Sequence, residues 1–392
     1  ADTLAFLALG RSLGTLSVTQ YRSGNMELAS LLAYTSWQFT KHYDGDVYHP
    51  AVFNALSLSC RQDQLWFRHK GAITGIRLLH ETIGNPQTCR DSLPGLVTVS
   101  KYGEMICWKS GDGQTYTSGF LLSDSRYDFR DVLIHSDSLV YALSYDGCLV
   151  SVNSAGMAAY LLPEGKYRQL IPAASDRLLA ISATGIYAFD CISHQIQLCF
   201  QPEYPVTCVG KSGDNLYVFL KNGTVALLSS AGQFVRFIEG WSQGGRVTSF
   251  CSLSDERYAE GTILICDKDG NVQQKLIGHQ AAVTAIFRKG NKLFSSSYDC
   301  TLRLWDLHKG KTESAVIMTS SGWIHTFCLH PDGTSIFMGD EQGRLYRIPV
   351  SPDHMATVVR QGLRRDFTQE EWEYYVGKQI PFESYYLKTY QP

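Results

Sequence analysis

Short runs of alternating apolar and polar residues fill the chain from about residue 64 to residue 350, and they recur with a period of about 40 residues. Each unit has a first run, a second run and then a turn that usually carries glycine, which is typical of antiparallel strands joined by tight turns. The first strand of each unit is marked by an apolar residue: Ile73, Val132, Leu170, Val206, Val247, Val283 and Ile324. The pattern therefore predicts an all-β domain of seven repeated units.

The residues before the repeats follow a helical period instead. Leu9, Leu13 and Leu16 fall on one face of a first helix, further leucines line a second, and Pro50 begins a third. After the repeats, residues 354–363 have a helical pattern, and Thr368 with Glu371 forms a capping box for a last short helix. We expect three parts: 1–59 helical, 60–350 repeats, and 351–392 a helical tail.

The most complete unit is GHQAAVTAIFRKGNKLFSSSYDCTLRLWD, residues 278–306. It resembles the WD-repeat unit of β-propellers, with His279 before the first strand, Ser297 on the second, Asp299 in the next turn and Trp305 on the third. The resemblance implies a seven-bladed propeller in which these four side chains form one hydrogen-bonded relay. A buried imidazole and indole each need such a partner, so the relay is structural.

The other units keep only parts of this motif. Trp108 retains the tryptophan position, and Ser144 with Asp146 retains the serine and aspartate positions. Apolar residues take the tryptophan place elsewhere: Phe189, Leu228, Cys266 and Ile348. The first unit also carries an insertion at residues 80–94, which its Asn-Pro pair and second proline predict to be a surface loop.

The last unit ends at Val350 without an outer strand of its own, whereas the run from Gln64 to Arg68 has nothing near it in sequence to pair with. We predict that this run completes the last blade and so removes the open edge of the ring.

Both helical parts show a second resemblance. The runs GRSLGTLSVTQYRSGNMELASLLAYTSWQF with PAVFNALS, and FTQEEWEYYVGKQIPFE, are similar to the segments that flank the C-terminal propeller of bacterial STAND-type signalling NTPases. The resemblance implies the C-terminal sensor part of a larger signalling protein, with any ATPase upstream. A chain that opens at Ala1 directly into a helical pattern agrees with this.

Composition limits the partners. The net charge is -2 and the pI is about 6.6, and no basic run occurs, so we expect neither nucleic acid nor an anionic membrane as partner. The apolar run Leu4 to Leu9 is too short to span a bilayer. The 11 cysteines lack a C-x-x-C pair, which favours reduced thiols and the cytoplasm, with a tethered periplasmic propeller as the alternative. No cofactor or metal is expected.

Candidate catalytic residues lack their usual context. Two stretches match the G-x-S-x-G elbow of serine hydrolases, Gly10 to Gly14 and Gly240 to Gly244. That motif requires a strand-to-helix turn, but the first falls in a helical pattern and the second between two antiparallel strands. We therefore expect no catalytic residue, although a hydrolase or lyase using the propeller channel remains the less favoured alternative.

Large side chains mark one face of the expected propeller. They flank the turns between second and third strands or precede a neighbouring first strand: Tyr102, Tyr145, Tyr167, Arg168, Tyr298 and Trp323. Exposed aromatic residues favour recognition of a protein or peptide, although they could also be ordinary solvated turn residues. We predict a monomeric, non-catalytic recognition or scaffold module, with an extracytoplasmic glycan- or cell-wall-binding propeller as the alternative.

Overall fold

The computed structural model describes residues 2–79, 95–136, 139–174, 176–238, 247–253, 258–260, 263–267, 271–308 and 314–382. Within these ranges the chain is a β-propeller with helices on either side of it in sequence, which confirms the all-β fold and the helical flanks. The predicted insertion at 80–94 lies outside the described residues.

The described strands form seven four-stranded antiparallel sheets, called blades 1 to 7 below. Blade 1 contains β2 Ile73–Leu78, β3 Gly95–Ser100, β4 Glu104–Lys109 and β5 Thr117–Ser123. Blade 2 contains β6 Phe129–Ser136, β7 Leu139–Ser144, β8 Cys148–Asn153 and β9 Gly156–Leu161. Blade 3 contains β10 Tyr167–Pro172, β11 Arg177–Ser182, β12 Ile186–Asp190 and β13 Ile196–Phe200. Blade 4 contains β14 Val206–Ser212, β15 Asn215–Leu220, β16 Val225–Ser229 and β17 Phe234–Ile238. Blade 5 contains β18 Phe250–Ser252, β19 Tyr258–Glu260, β20 Leu264–Cys266 and β21 Val272–Lys275. Blade 6 contains β22 Val283–Lys289, β23 Lys292–Ser297, β24 Thr301–Asp306 and β25 Ser314–Thr319.

Blade 7 draws its strands from both ends of the ring. It contains β26 Ile324–Leu329, β27 Ser335–Asp340, β28 Arg344–Pro349 and, as its outer strand, β1 Gln64–Phe67. β1 pairs antiparallel with β28 in a continuous register from Gln64 opposite Arg347 to Phe67 opposite Arg344. This pairing confirms the predicted ring closure.

Each blade places its first strand toward the ring centre, and these innermost strands neighbour one another around a central channel. The second strands are sandwiched between blades, so every residue of β3 and β27 is buried. The fourth strands face outward, and most residues of β5, β9 and β17 are exposed. Apolar side chains of adjacent blades share continuous cores, so each blade depends on its neighbours for burial.

Among the described residues, five helices and one π-helical turn lie outside the ring. Their bounds are α1 Asp2–Arg22, α2 Met26–His42, α3 Pro50–Cys60, α4 Pro352–Gly362 and α5 Gln369–Trp372, with the π-helical turn at Glu373–Gly377. The predicted capping box is present, because Thr368 accepts the backbone N–H of Glu371 while the Glu371 side chain accepts that of Thr368.

The helices from the two ends of the chain form one packed layer. Leu13, Leu31 and Leu56 share a core with Met355 and Trp372. At its centre α1 approaches α3 so closely that a Cβ on Gly14 would lie 2.3 Å from the Ala51 carbonyl oxygen. Lys41 forms an ion pair with Asp353 at 2.7 Å, and Lys292 of blade 6 lies 4.6 Å from the centroid of the Tyr48 ring. The layer therefore rests on the ring beside blade 6.

A relay of four side chains stabilises blade 6. His279 Nδ1 lies 2.8 Å from Asp299 Oδ2, His279 Nε2 lies 2.7 Å from Ser295 Oγ, and the Trp305 indole N–H donates to the same Oγ at 2.7 Å. The serine of the relay is thus Ser295, and the prediction of Ser297 was wrong.

The register of blade 6 explains the difference. Trp305 pairs with Leu293, and Ser295 and Ser297 follow on the same face of β23. The indole reaches only the nearer serine. Ser297, at the end of the strand, instead donates to the Ala281 carbonyl at 3.1 Å and accepts the Asp299 N–H.

Blade 1 contains a second relay that the sequence analysis missed. His69 Nε2 lies 2.6 Å from Thr98 Oγ1, which also accepts the Trp108 indole N–H at 2.8 Å, and His69 Nδ1 lies 3.1 Å from Glu104 Oε2. The turn of this blade has Tyr102 where blade 6 has Asp299. Glu104, on the following strand, supplies the carboxylate from its longer side chain.

Burial and hydrogen bonding set the protonation of the blade 6 relay. Burial lowers the pKa of His279 below its ordinary value, although Asp299 opposes this. Burial also opposes ionisation of Asp299, but hydrogen bonds from Thr301, the Gln280 N–H and His279 outweigh it and hold the pKa at about 2. Neutral His279 therefore donates from Nδ1 to a carboxylate and accepts the Ser295 hydroxyl at Nε2.

Removing β1 should open the ring. A chain of residues 63–350 keeps β1, whereas one of residues 68–350 lacks it but retains His69 of the blade 1 relay, and both omit the helical layer. We expect the shorter chain to self-associate in size-exclusion chromatography and to melt at a lower temperature, because β28 then has an unpaired edge. Equal melting temperatures and monomeric elution of both chains would contradict the role of β1.

The two serines of β23 should differ in their effect on stability. Ser295→Ala leaves both His279 Nε2 and the Trp305 N–H without a partner and should lower the free energy of unfolding by about 1–3 kcal/mol. Ser297→Ala, the matched control, loses two hydrogen bonds to the backbone but leaves the histidine and the indole paired, and should cost about 0.5–1.5 kcal/mol. Urea unfolding measures both, and a larger loss for Ser297→Ala would refute this assignment of the relay.

The relay also predicts how stability depends on pH. Because the pKa of His279 is lowered in the folded chain, the unfolded chain binds more protons once the pH falls below about 6.5. The free energy of unfolding should therefore decrease from pH of about 7.5 to about 5.5. His279→Gln should reduce this slope. An unchanged slope in His279→Gln would contradict the linkage.

Candidate functional site

One end of the central channel opens into a cavity of about 700 Å³, here called the channel mouth. Innermost strands and the turns between second and third strands form its wall, and both kinds of element contribute polar side chains. Tyr145 of the blade 2 turn and Tyr298 of the blade 6 turn line it. The face predicted from the turn residues is therefore the face on which the cavity opens.

In six of the seven described blades, a β-bulge near the start of the innermost strand places one side chain in this wall. The register shifts in β2, β6, β10, β14, β22 and β26, and each shift leaves one residue outside the ladder. The bulge residues are Thr74, Arg130, Arg168, Thr207, Thr284 and His325. All of them line the channel mouth, as does Thr248 just before β18. A bulge turns a side chain away from the usual alternation, and here it turns them toward the mouth.

Three of the threonines join neighbouring blades. Thr74 donates to the Phe129 carbonyl at 2.6 Å, Thr248 to the Val283 carbonyl at 2.7 Å and Thr284 to the Ile324 carbonyl at 2.8 Å. Each bond runs from one innermost strand to the next in the ring. These three hydroxyl groups therefore hold neighbouring blades together.

The bulges of blades 2 and 3 carry arginines instead. Arg130 forms an ion pair with Asp128 at 2.5 Å, and its guanidinium lies 4.4 Å from the centroid of the Tyr145 ring. Arg168 is exposed and has no ion pair with the described part of the chain. The Arg130 head group is thus held in place, whereas that of Arg168 is available to a ligand.

A buried carboxylate fixes the spacing of these two strands. Asp131 accepts the Leu170 N–H of β10 at 2.8 Å and pairs with Arg77 of blade 1 at 3.0 Å. Burial raises the pKa of Asp131, while Arg77 and the backbone donors oppose that rise. Asp131 thereby links three blades immediately beside Arg130 and Arg168.

The bulge residue of blade 7 belongs to a cluster of charged side chains. His325 Nε2 hydrogen-bonds Glu341, and Lys101 of blade 1 pairs with Glu341 at 3.4 Å. Burial lowers the pKa of His325, with Glu341 opposing this and the positive charges of Lys101 and Arg130 adding to it. Burial opposes ionisation of Glu341, but its bonds to His325 and Lys101 keep its pKa below the ordinary value.

Two aromatic rings form a shelf beside this cluster. The centroids of Tyr298 and Trp323 lie 5.3 Å apart, and Tyr298 also packs edge-on against His325 at 5.4 Å. Tyr298 is 39% and Trp323 52% exposed, although both rings are large and apolar. The aromatic shelf, defined as these two residues, thus presents apolar area to solvent at the edge of the channel mouth.

The remaining predicted binding residues have different surroundings. Tyr102 is 55% exposed and covers Gly71, and Tyr145 is partly buried under Arg130. Tyr167 is fully buried, and its hydroxyl donates to the Pro163 carbonyl at 2.9 Å. Naming Tyr167 as a binding residue was therefore wrong, because its ring fills the space beside Gly147 inside the wall.

Arg130, His325 and the pair of Lys101 with Glu341 were missed from the sequence. For Arg130 and His325 the signal was a polar residue one position after the first apolar residue of a first strand, as in Phe129-Arg130 and Ile324-His325. Such a residue looks like ordinary strand alternation. Only the bulge shows that it faces the mouth.

The catalytic candidates are accounted for where the structure describes them. Ser12 of the first G-x-S-x-G match lies inside helix α1, so it occupies no strand-to-helix turn. Residues 240–244 of the second match lie outside the described residues. In the described ranges, no group of three or more His, Cys, Asp and Glu residues could hold a metal ion. None of the helices in those ranges has both the length and the apolar character that crossing a bilayer requires.

Comparisons with known proteins identify one repeat. Residues 270–306 match the family described as WD domain, G-beta repeat. A stretch of 98 residues is 34% identical to the WD repeat and FYVE domain-containing protein 2 of Caenorhabditis elegans and covers 24% of each protein. Autophagy-related protein 16 of Arabidopsis thaliana is 37% identical over 79 residues, 19% of this chain and 15% of that protein. Target of rapamycin complex subunit LST8 of Bos taurus is 26% identical over 83 residues, 21% of this chain and 26% of that protein.

Solved structures resemble a larger part of the chain. The WD40 β-propeller domain of Doa1 has a TM-score of 0.59 at 14% identity and covers 74% of this chain and 96% of that one. The computationally designed Ika8 protein has a TM-score of 0.51 at 16% identity, covering 72% and 97%. At these identities the likeness concerns the fold alone. The chain thus carries a WD40 repeat at residues 270–306 on a β-propeller fold like that of the Doa1 domain.

Proposed function

We propose that this chain is a non-catalytic protein-recognition or scaffold module that binds a peptide segment of its partner at the channel mouth. The observation that carries the proposal is the aromatic shelf of Tyr298 and Trp323, exposed beside a polar cavity. Aromatic side chains in rigid surroundings bind partners at a small cost in conformational entropy and often dominate the binding energy.

The surroundings of the shelf favour a peptide. The cavity lies next to it, so a segment resting on the two rings can extend over the mouth toward Arg168 and Tyr145. Tyr102 adds a further exposed ring on the blade 1 turn of the same face. Apolar contact at one side and polar contact at the other are typical of recognition sites.

The ionisable groups of the mouth favour binding over catalysis. Glu341 is shared by His325 and Lys101, and Arg130 is bound to Asp128. A general base or nucleophile needs a free position for the reacting atom beside it, and these groups are already engaged. Their arrangement supports a rigid wall.

The cellular context is part of the same proposal. One similar protein is, by its name, a complex subunit, which agrees with a scaffold role. The similarity of both helical segments to bacterial STAND-type proteins supports a sensor at the end of a larger signalling protein. The helical layer would then connect the propeller to whatever precedes it.

The aromatic shelf can be tested with a library of random 12-residue peptides displayed on phage and selected on the 392-residue chain. We expect Tyr298→Ala/Trp323→Ala to weaken binding of the selected peptides by at least about 2 kcal/mol, close to 30-fold. Ile192→Ala/Tyr374→Ala is the matched control, since it removes two exposed apolar side chains, one between β12 and β13 at the opposite end of the blade and one in the C-terminal helical segment. Fluorescence anisotropy measures the affinities, and thermal melting checks that both variants are folded.

Equal affinity of the shelf variant and the parent would place the binding face elsewhere. A glycan array probed with the same two variants distinguishes the sugar-binding alternative. Binding of a glycan in a shelf-dependent manner, without any selected peptide, would replace the peptide proposal.

A further inference from the structure

We propose that the partner segment carries an aspartate or glutamate whose carboxylate binds between Arg130 and Arg168 at the channel mouth. This inference rests on the proposed function and adds the chemistry of the residue that enters the cavity. It depends on three features of the site: the position of the two arginines, their charge balance, and the geometry of the guanidinium group.

The two arginines occupy equivalent positions on neighbouring innermost strands. Each is the bulge residue of its strand, Arg130 on β6 and Arg168 on β10, and both line the same cavity. The bond from the Leu170 N–H to Asp131 holds the strands together within two residues of either arginine. Both guanidinium groups therefore belong to one small region of the cavity wall.

The charges of this region do not balance. Arg77 is compensated by Asp131, Arg130 by Asp128 and Lys101 by Glu341. Arg168 has no carboxylate partner in the described part of the chain. One positive charge thus remains at the mouth of a chain whose net charge is -2, so the excess is local and favours an anionic group.

The charge of the site favours a carboxylate over a phosphate group. Tyr145 and Asp128 hold the Arg130 guanidinium, so its remaining N–H groups are oriented before a ligand arrives. A guanidinium presents paired N–H groups that match the two oxygens of a carboxylate. Because one full positive charge is uncompensated, a singly charged carboxylate neutralises the site, whereas a phosphate would leave excess negative charge.

The aromatic shelf explains why the carboxylate belongs to a peptide. Tyr298 and Trp323 lie in blades 6 and 7, across the cavity from Arg130 and Arg168 in blades 2 and 3. A ligand that contacts both the aromatic shelf and the two arginines needs an acidic group and an apolar group separated by a flexible backbone. We expect an extended segment in which an acidic residue follows or precedes an apolar or aromatic one.

The test uses the same random peptide library, selected in parallel on the parent chain, on Arg168→Gln and on Arg130→Gln/Arg168→Gln. We expect peptides selected on the parent to be enriched in Asp or Glu at one position, and this enrichment to disappear with the double variant. Arg236→Gln, at an exposed arginine of the outer strand β17, is the matched control and should keep the enrichment.

Affinities then assign the contact. Changing the selected acid to its amide in one peptide should weaken binding to the parent by about tenfold or more, and Arg168→Gln should weaken the acidic peptide by a similar factor. The amide peptide should lose little further affinity on Arg168→Gln, because the interaction is already absent. Arg168→Lys should restore only part of the affinity, since lysine lacks the paired donors.

Three outcomes would overturn the inference. Selected peptides that lack acidic enrichment but depend on Tyr298 and Trp323 would refute it while leaving the proposed function intact. Equal binding of the acidic peptide by Arg168→Gln would exclude the assigned contact. Preference for a phosphoserine peptide, or for a single-stranded oligonucleotide, over the acidic peptide would assign the arginine pair to another anion.

Discussion

The pairing of β1 with β28 is the constraint on which the rest of the structure depends. Blades bury their faces only against other blades, so a ring with one incomplete sheet would expose both an edge and the apolar contacts beside it. Because β1 comes from the start of the ring and β28 from its end, their pairing also brings the flanking helices together. The strand pairing that closes the ring therefore also places the N-terminal and C-terminal helices beside each other, although these helices are far apart in sequence.

The sequence predicted the features that repeat and missed those that depend on which neighbour a side chain reaches. The strand order, the closing strand and the capping box follow from apolar periodicity and local hydrogen bonding, and these were recovered. Ser295 and Ser297 share a face and a residue type, so only the register of Trp305 opposite Leu293 separates them. The relay of blade 1 was hidden because Glu104 supplies its carboxylate from the strand and the turn does not. Tyr167 looked exposed because it lies next to Arg168, but alternation along β10 buries it.

The relays and the channel mouth both contain a histidine paired with a carboxylate, but the surroundings of the pair differ. In blades 1 and 6, histidine and carboxylate are buried with a tryptophan, and every polar atom of the chain of contacts is satisfied within one blade. In blade 7, His325 lines the cavity and hydrogen-bonds Glu341, which pairs with Lys101 of blade 1. The same pair of residue types therefore stabilises a blade when enclosed, and borders a cavity when the histidine lies at a bulge.

The bulges have a consequence for how such a ring can change. A bulge residue contributes no rung to its ladder, so replacing it leaves the strand pairing of its blade intact. Thr74 and Thr284 use that freedom to join blades, while Arg130 and Arg168 use it to place positive charge at the mouth. The bulge residues around the central opening can therefore be substituted one at a time while the strand pairing of the blades stays unchanged. A few such substitutions would change the chemistry of the channel mouth on the same scaffold.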